Sequence, residues 1–272
     1  MSIKMVVTDL DGTLLRNDKT ISEETWKSFH MLGEKKIIRV AATGRNLFSL
    51  KKVIPPDFPF DFIVFSTGSG IYNWQSHKLL LKNGISKTKT KYAIDILYAE
   101  NLDFTVHQPI PDNHYFYYHQ PNENNAGFNN YREYYKDFSS PINFNKLQIN
   151  ESCQLLTIID NNIEQFCHLK NLLKDFRIIR TTSPIENHFL WMEIFPPHVN
   201  KAYGVDWLCQ YLNIKSDSIL AIGNDFNDVD LLDFAGHARI VENSHPELKT
   251  KYQCVASNDQ NGVIEAIHEL VI

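Results

Sequence analysis

The chain has 272 residues, 43% hydrophobic and 22% charged, with a formal net charge of −5. That is a globular composition, with material for one large or two modest domains, and its acidic balance gives no footprint for nucleic acid or an anionic membrane surface. No apolar run is long enough to span a bilayer and the N-terminus carries no signal-like apolar stretch, so a cytoplasmic protein is expected.

Residues 3–7 form a near-continuous apolar run, the pattern of a strand buried on both faces of a parallel sheet. It leads into Asp9-Leu10-Asp11-Gly12-Thr13, which places two carboxylates one residue apart where the strand ends. Ligands bind at the carboxyl ends of strands in open α/β sheets, although an ordinary capped turn uses the same residue types. Ser22 can cap a helix reaching about Gly33, with Trp26, Phe29 and Leu32 on one face. A second apolar strand at 37–42 ends in Thr43-Gly44-Arg45, and a helix through Leu47 and Leu50 is stopped by Pro55-Pro56. Residues 62–65 make a third strand, with 67–70 as its loop. Such β-α-β-α-β order implies right-handed crossovers and a parallel sheet.

The rhythm changes after residues 82–84. A helix through Tyr92, Ile96 and Leu97 precedes two β-like runs, 104–107 and 115–119, separated by turn residues at 109–113. The Asn-rich stretch 120–130 reads as a surface loop or a short irregular helix, followed by a strand at 155–159, a helix at 163–173 and a strand at 177–180. These suggest an α+β insertion at 83–188. The aromatic run 115–118 could stack on a ligand, but it reads better as a half-buried strand. The first pattern then returns: a strand at 191–195, a helix at 201–212 and an apolar strand at 219–222 ending in the polar loop 223–228. A helix from Val229, a short strand at 238–241 followed by Asn243, and an amphipathic helix at 262–271 complete the chain. The four cysteines, Cys153, Cys167, Cys209 and Cys254, lack CxxC pairing and zinc-like His spacing, and read as buried thiols.

Three polar clusters thus lie at strand ends: Asp9, Asp11 and Thr13; Thr43 and Gly44; and residues 224–228. Carboxylates with a hydroxyl, loop amides and one Lys call for a hard, oxygen-ligated cation such as Mg2+. They also suit a phosphoryl group that must be held and relieved of charge. An aspartate nucleophile can split phosphate-ester hydrolysis into two easier steps.

These residues resemble the haloacid dehalogenase superfamily, and within it the Cof-type, or IIB, phosphatases. The DxDGTLL signature is present at 9–15, the second motif at 41–45 and the third as Lys201 within 199–202. The fourth stands, altered, at 223–228 followed by 229–232; residues 243–249 and 261–263 also resemble the group. The resemblance implies a Rossmann-like α/β parallel-sheet core from 1–82 plus 189–272, with an inserted α+β cap at 83–188 that selects substrate. It implies a Mg2+-dependent phosphatase of small phosphorylated metabolites, sugar phosphates foremost, acting through an aspartyl-phosphate as a monomer or small homo-oligomer.

By the same resemblance Asp9 is the nucleophile and a metal ligand. Asp11 is the proton donor and later the base, with its backbone carbonyl on the metal. Thr43, the Gly44 amide, Lys201 and Asn227 hold phosphate, and Lys201 also neutralises charge across the nucleophile. Arg45 supports the loop by pairing with a carboxylate. Asn243 either contacts phosphate or a metal-bound water, or is a turn residue. Two positions depart from the family pattern. Asn224 stands where an Asp is usual, so either it serves as a neutral metal ligand or Asp225 swings in, with Asp228 as a direct or supporting anchor. Thr67-Gly68 replaces the common Asn-Gly. His188, Asn187 and Glu193 lie near the return from cap to core. A phosphate-ligand sensor without catalysis, and a phosphotransferase or mutase, are the rival readings.

Overall fold

The computed structural model describes residues 2–145, 149–182 and 189–271. The chain divides into two compact units, 1–81 with 200–272, and 82–199.

The apolar run becomes β1 (Met5–Thr8), every residue of it buried. Ser22 caps α1 (Glu23–Glu34) by accepting the Thr25 amide, and Phe29 and Leu32 are buried on its inner face. Then come β2 (Ile38–Ala42), the short α2 (Leu47–Leu50), β3 (Phe62–Phe65), β4 (Gly70–Asn73) and β5 (Lys78–Lys82).

The second unit contains β6 (Ile85–Ser86), α3 (Lys87–Ala99), β7 (Phe104–His107), β8 (Phe116–His119), α4 (Ala126–Tyr134), β9 (Ser139–Pro141) and β10 (Glu151–Ser152). It continues through β11 (Leu155–Asp160), α5 (Ile163–Leu172), β12 (Arg177–Thr182) and β13 (Phe189–Phe195). Its main sheet has the order β12-β13-β11-β7-β8-β9, antiparallel except for the β8–β9 pair. Strand alternation gives this sheet two apolar faces. Phe104, Leu155, Met192 and Ile194 pack with Leu97 of α3 and Leu169 of α5, whereas Leu156 and Ile158 pack with Phe128 of α4.

The first unit resumes with α6 (Lys201–Leu212), β14 (Ile219–Gly223), α7 (Val229–Phe234), β15 (His237–Val241), α8 (Pro246–Lys249), β16 (Cys254–Val255) and α9 (Gly262–Val271). Its sheet runs β5-β4-β3-β2-β1-β14-β15-β16; in that order the strands from β3 through β16 pair parallel, and β4 pairs antiparallel with β3. The chain leaves β1 through β2 and β3 on one side, and occupies the other side with β14, β15 and β16. The strand order therefore reverses between β1 and β14, the place where open α/β sheets bind ligands.

Four sequence expectations change. The strand at 189–195 pairs with β11 and β12, so it belongs to the second unit, and the return to the first unit comes at residue 200 instead of 189. Residues 70–82 add two strands, β4 and β5, beyond the expected core. The Asn-rich stretch contains a regular helix, α4, capped by Asn125, which accepts the Phe128 amide. Cys153 and Cys209 are buried, but Cys167 is exposed; all four thiols are free. The run 115–118 is a half-buried strand, β8, as read from its composition. Among the described residues no helix is long and apolar enough to cross a membrane.

Candidate active site

Asp9 follows β1 directly, and its amide donates to the Ile222 carbonyl at 2.9 Å, which ties the opening loop to β14. Gly12, at φ +73°, lets the chain turn back, and the Leu15 amide closes the loop on the Leu10 carbonyl at 2.8 Å. Asp9 is almost fully buried. Its Oδ1 accepts from Lys201 Nζ at 2.7 Å, and its Oδ2 accepts a longer bond from the Thr13 hydroxyl at 3.3 Å.

Lys201 opens α6, where Asn200 caps the helix by accepting the Tyr203 amide at 2.7 Å. The lysine is completely buried, and its ammonium also donates to Asp228 Oδ1 at 2.6 Å and Asn227 Oδ1 at 3.3 Å. Asp228 Oδ2 accepts the amides of Asn224 at 2.9 Å and Asp225 at 3.1 Å. Both Asp228 oxygens are thus engaged in fixing Lys201 and the loop after β14. Burial opposes the charge on Lys201, but Asp228 and Asp9 outweigh it and raise its pKa. Burial, with Asp228 nearby, pushes the Asp9 carboxyl up to about 7 despite the pull of Lys201. Two carboxyls thus share one ammonium in a nearly dry place.

Asp11 is engaged elsewhere. Arg45 grips it with two parallel bonds, Nε to Oδ2 at 2.6 Å and Nη2 to Oδ1 at 2.8 Å, and Lys19 adds a third to Oδ1 at 3.1 Å. The guanidinium is itself anchored on the Ser49 carbonyl at 3.2 Å. Burial works against the Asp11 charge, but the bonds and charges of Arg45, and behind them Lys19, hold its pKa below the usual carboxylate range. The expected pairing of Arg45 with a carboxylate is present. The contribution of Lys19 carried no signal in the sequence, because it depends on the turn at 16–20, where the Lys19 amide donates to the Arg16 carbonyl.

Thr43 is buried at the end of β2 and accepts the Arg45 amide at 3.1 Å on its hydroxyl. Gly44 follows it beside Asn227: a Cβ built there would stand 4.0 Å from Asn227 Nδ2. Within the opening loop, a Cβ on Gly12 would fall 2.6 Å from Asn224 Nδ2 and 3.6 Å from Asn243 Nδ2, so both amides converge on that loop. Asn243 donates to the Gly12 carbonyl at 2.8 Å and accepts the Asn258 amide at 3.0 Å. Both ends of its side chain therefore tie loops together. Asp225 accepts the Phe226 amide at 2.7 Å and caps the following turn. Asn224, one of the two candidates for the altered fourth motif, lies beside the Asp9 loop. Glu193 lies in the second unit on β13 and accepts from the Thr181 hydroxyl at 3.2 Å; Asn187 and His188 fall outside the described residues.

Among the described residues no group of three or more His, Cys, Asp or Glu side chains is gathered to hold a metal ion. The oxygen donors near the opening loop are the Asp9 carboxylate and main-chain carbonyls; Asn224 faces Gly12 with its Nδ2 and offers an oxygen there only with its amide turned over. That all-oxygen set fits a hard cation in chemistry, with fewer charged ligands than a carboxylate cluster supplies.

A family model described as haloacid dehalogenase-like hydrolase matches residues 6–267. The chain is 26% identical to the 5-amino-6-(5-phospho-D-ribitylamino)uracil phosphatase YwtE of Bacillus subtilis, over 99% of this chain and 98% of that protein. It is 21% identical to the HMP-PP phosphatase of Yersinia pseudotuberculosis, over 97% and 94% of the two chains. The solved structure of the phosphatase BT1666 from Bacteroides thetaiotaomicron shares the fold with a TM-score of 0.82, at 18% identity over 99% of this chain and 95% of that one. That of the subclass IIB sugar phosphatase BT4131 does so with a TM-score of 0.76, at 18% identity over 98% of each chain. With its motifs in order and residues 6–267 matched, the chain belongs to the haloacid dehalogenase-like hydrolases.

Proposed function

We propose that the protein is a Mg2+-dependent phosphatase that hydrolyses small phosphomonoesters, sugar phosphates foremost, through an aspartyl-phosphate on Asp9. The observation that carries this reading is the buried Asp9–Lys201–Asp228 set at the switch point of the sheet.

Asp9 Oδ1 is held by the ammonium, so Oδ2, with its longer bond to Thr13, is the oxygen free to attack phosphorus. The P–O bond to the leaving alcohol breaks as the Asp9 Oδ2–P bond forms, and the alkoxide oxygen takes a proton from Asp11. Asp11 then removes a proton from water, whose oxygen attacks phosphorus; the Asp9–P bond breaks, and inorganic phosphate leaves. Lys201 stabilises charge on the nucleophile throughout, while Thr43, the Gly44 amide and Asn227 hold the equatorial oxygens. Bound Mg2+, held by Asp9, Asn224 and the Asp11 carbonyl, would supply charge neutralisation at the phosphoryl oxygens. Donation from Asp11 requires it to leave the grip of Arg45 and Lys19, since in the clamp it is an ionised acceptor.

The test is phosphate release from para-nitrophenyl phosphate and a panel of sugar phosphates, with and without Mg2+. Wild type should turn over only with the metal, and Asp9→Asn should lose at least about a thousandfold in kcat. One observation favours a phosphate-binding sensor instead: the neutral Asn224 in the fourth motif. Metal-dependent turnover abolished by Asp9→Asn excludes that alternative.

A further inference from the structure

The turn after β3 adopts a conformation that its side chains resist. Ser66, Thr67 and Gly68 pass through successive left-handed conformations, at φ 47°, 57° and 99°. At Gly68 the reason is plain, because a Cβ there would collide with the Asn200 carbonyl oxygen at the start of α6. Thr67 has no such excuse. A β-branched residue is an outlier in this region, and Asn or Gly would adopt the backbone more easily.

Thr67 is also fully buried, and its hydroxyl has no hydrogen-bond partner among the described residues. A buried, unmade hydroxyl is costly, and valine would fill the same shape without one. Neither the strain nor the orphaned hydroxyl is explained by packing. Both make sense if something absent from the folded chain alone completes the bond.

The space beside the hydroxyl identifies the partner's chemistry. The Thr67 amide donates to the Thr43 carbonyl at 3.0 Å, which lays this turn against the 43–45 loop. On the open side of Gly44, where a Cβ would stand, Thr67 Oγ1 lies at 3.6 Å and Asn227 Nδ2 at 4.0 Å, and among the described residues no other beyond the chain neighbours comes within 4 Å. Asn227 Oδ1 accepts from Lys201, so its Nδ2 is the donor turned toward this space. Two side-chain donors backed by a buried ammonium suit an oxyanion.

We propose that Thr67 is a further phosphate-binding residue, its hydroxyl donating to a non-bridging oxygen of the phosphoryl group beside Asn227 Nδ2. This rests on the phosphatase reading of the same site and adds a contact to it. The strained backbone is the means by which the hydroxyl reaches that oxygen.

The experiment is titration of the full-length protein with inorganic phosphate in the presence of Mg2+, by calorimetry and as inhibition of para-nitrophenyl phosphate turnover. Wild type, Thr67→Ser, Thr67→Gly and Thr67→Val are compared, each with its melting temperature. Thr67→Ser should keep the wild-type affinity within about twofold, while Thr67→Gly and Thr67→Val should weaken phosphate binding about tenfold or more. Thr67→Gly should also melt at a higher temperature than wild type, because glycine relieves the left-handed strain; it carries the test if Thr67→Val folds poorly. Wild-type phosphate affinity in Thr67→Gly would overturn the proposal and leave water as the occupant of the space. If wild type itself binds no phosphate, the reading of the whole site fails, and that result is distinct from loss of the Thr67 contact alone.

Discussion

Lys201 is a buried cation whose neighbours decide whether the first unit tolerates it. Asp9 and Asp228 lie within 2.7 Å and 2.6 Å of the ammonium, and removing it would leave two buried carboxylates facing each other. Breaking a buried ion pair in this way costs far more than the intact pair contributes. Lys201→Met should therefore lower stability by about 3–5 kcal/mol in urea unfolding, besides abolishing activity. The Arg45–Asp11 pair is partly exposed, and its bidentate geometry makes it a moderate contributor. A double-mutant cycle of Arg45→Met with Asp11→Asn should return a coupling of about 1–2 kcal/mol. Asp9, Thr43 and the 224–228 loop stood out in the sequence because each follows an apolar run, whereas Lys201 and the separate parts of Asn227 and Asp228 were marked only by the family resemblance. The orientation of Asp11 toward Lys19 and the orphaned Thr67 hydroxyl were not, since each depends on loop torsions that no periodicity encodes.

At the scale of elements, the turn between β3 and β4 holds two loops in place through a single close approach. Gly68 meets the Asn200 carbonyl with no room for a side chain, at φ 99°, so Gly68→Ala should cost about 3 kcal/mol or more in unfolding measurements. Gly44→Ala has space, with its nearest neighbours at 3.6 Å and 4.0 Å, and should fold normally while losing phosphate affinity. The contrast separates a glycine needed by the backbone from one needed by the ligand. The sequence located β1, β2, β3 and β14 because continuous apolar runs bounded by turn residues leave little choice. It misplaced 189–195 because alternating burial tells that a strand is covered, not which sheet covers it. The sequence left α4 open between a surface loop and a short irregular helix because asparagine is a poor helix former; here Asn125 works as a cap, and its Nδ2 also donates to Asp103 and to the Ile158 carbonyl.

For the molecule as a whole, the two units differ in how acid should affect them. The second unit buries His107, whose Nδ1 faces the Asn113 carbonyl at 2.8 Å, and burial pushes its pKa down to about 4. The unfolded chain takes up that proton near its ordinary value, so the stabilisation is complete above about pH 6.5 and is lost as pH falls toward 4. Trp191 reports this unit, and its fluorescence unfolding curve should lose stability by about 1.4 kcal/mol per pH unit across that window, a slope absent in His107→Gln. The proposed chemistry belongs to the first unit, where turnover would join phosphorus to Asp9. Asp11→Asn should still transfer phosphate from para-nitrophenyl phosphate, whose leaving group needs no proton, but should fail to activate water. Acid quenching, borohydride reduction and peptide mass spectrometry of that variant should find residue 9 reduced to homoserine, the mark of an acyl phosphate. An unmodified Asp9 in a preparation that still consumes substrate would contradict the account.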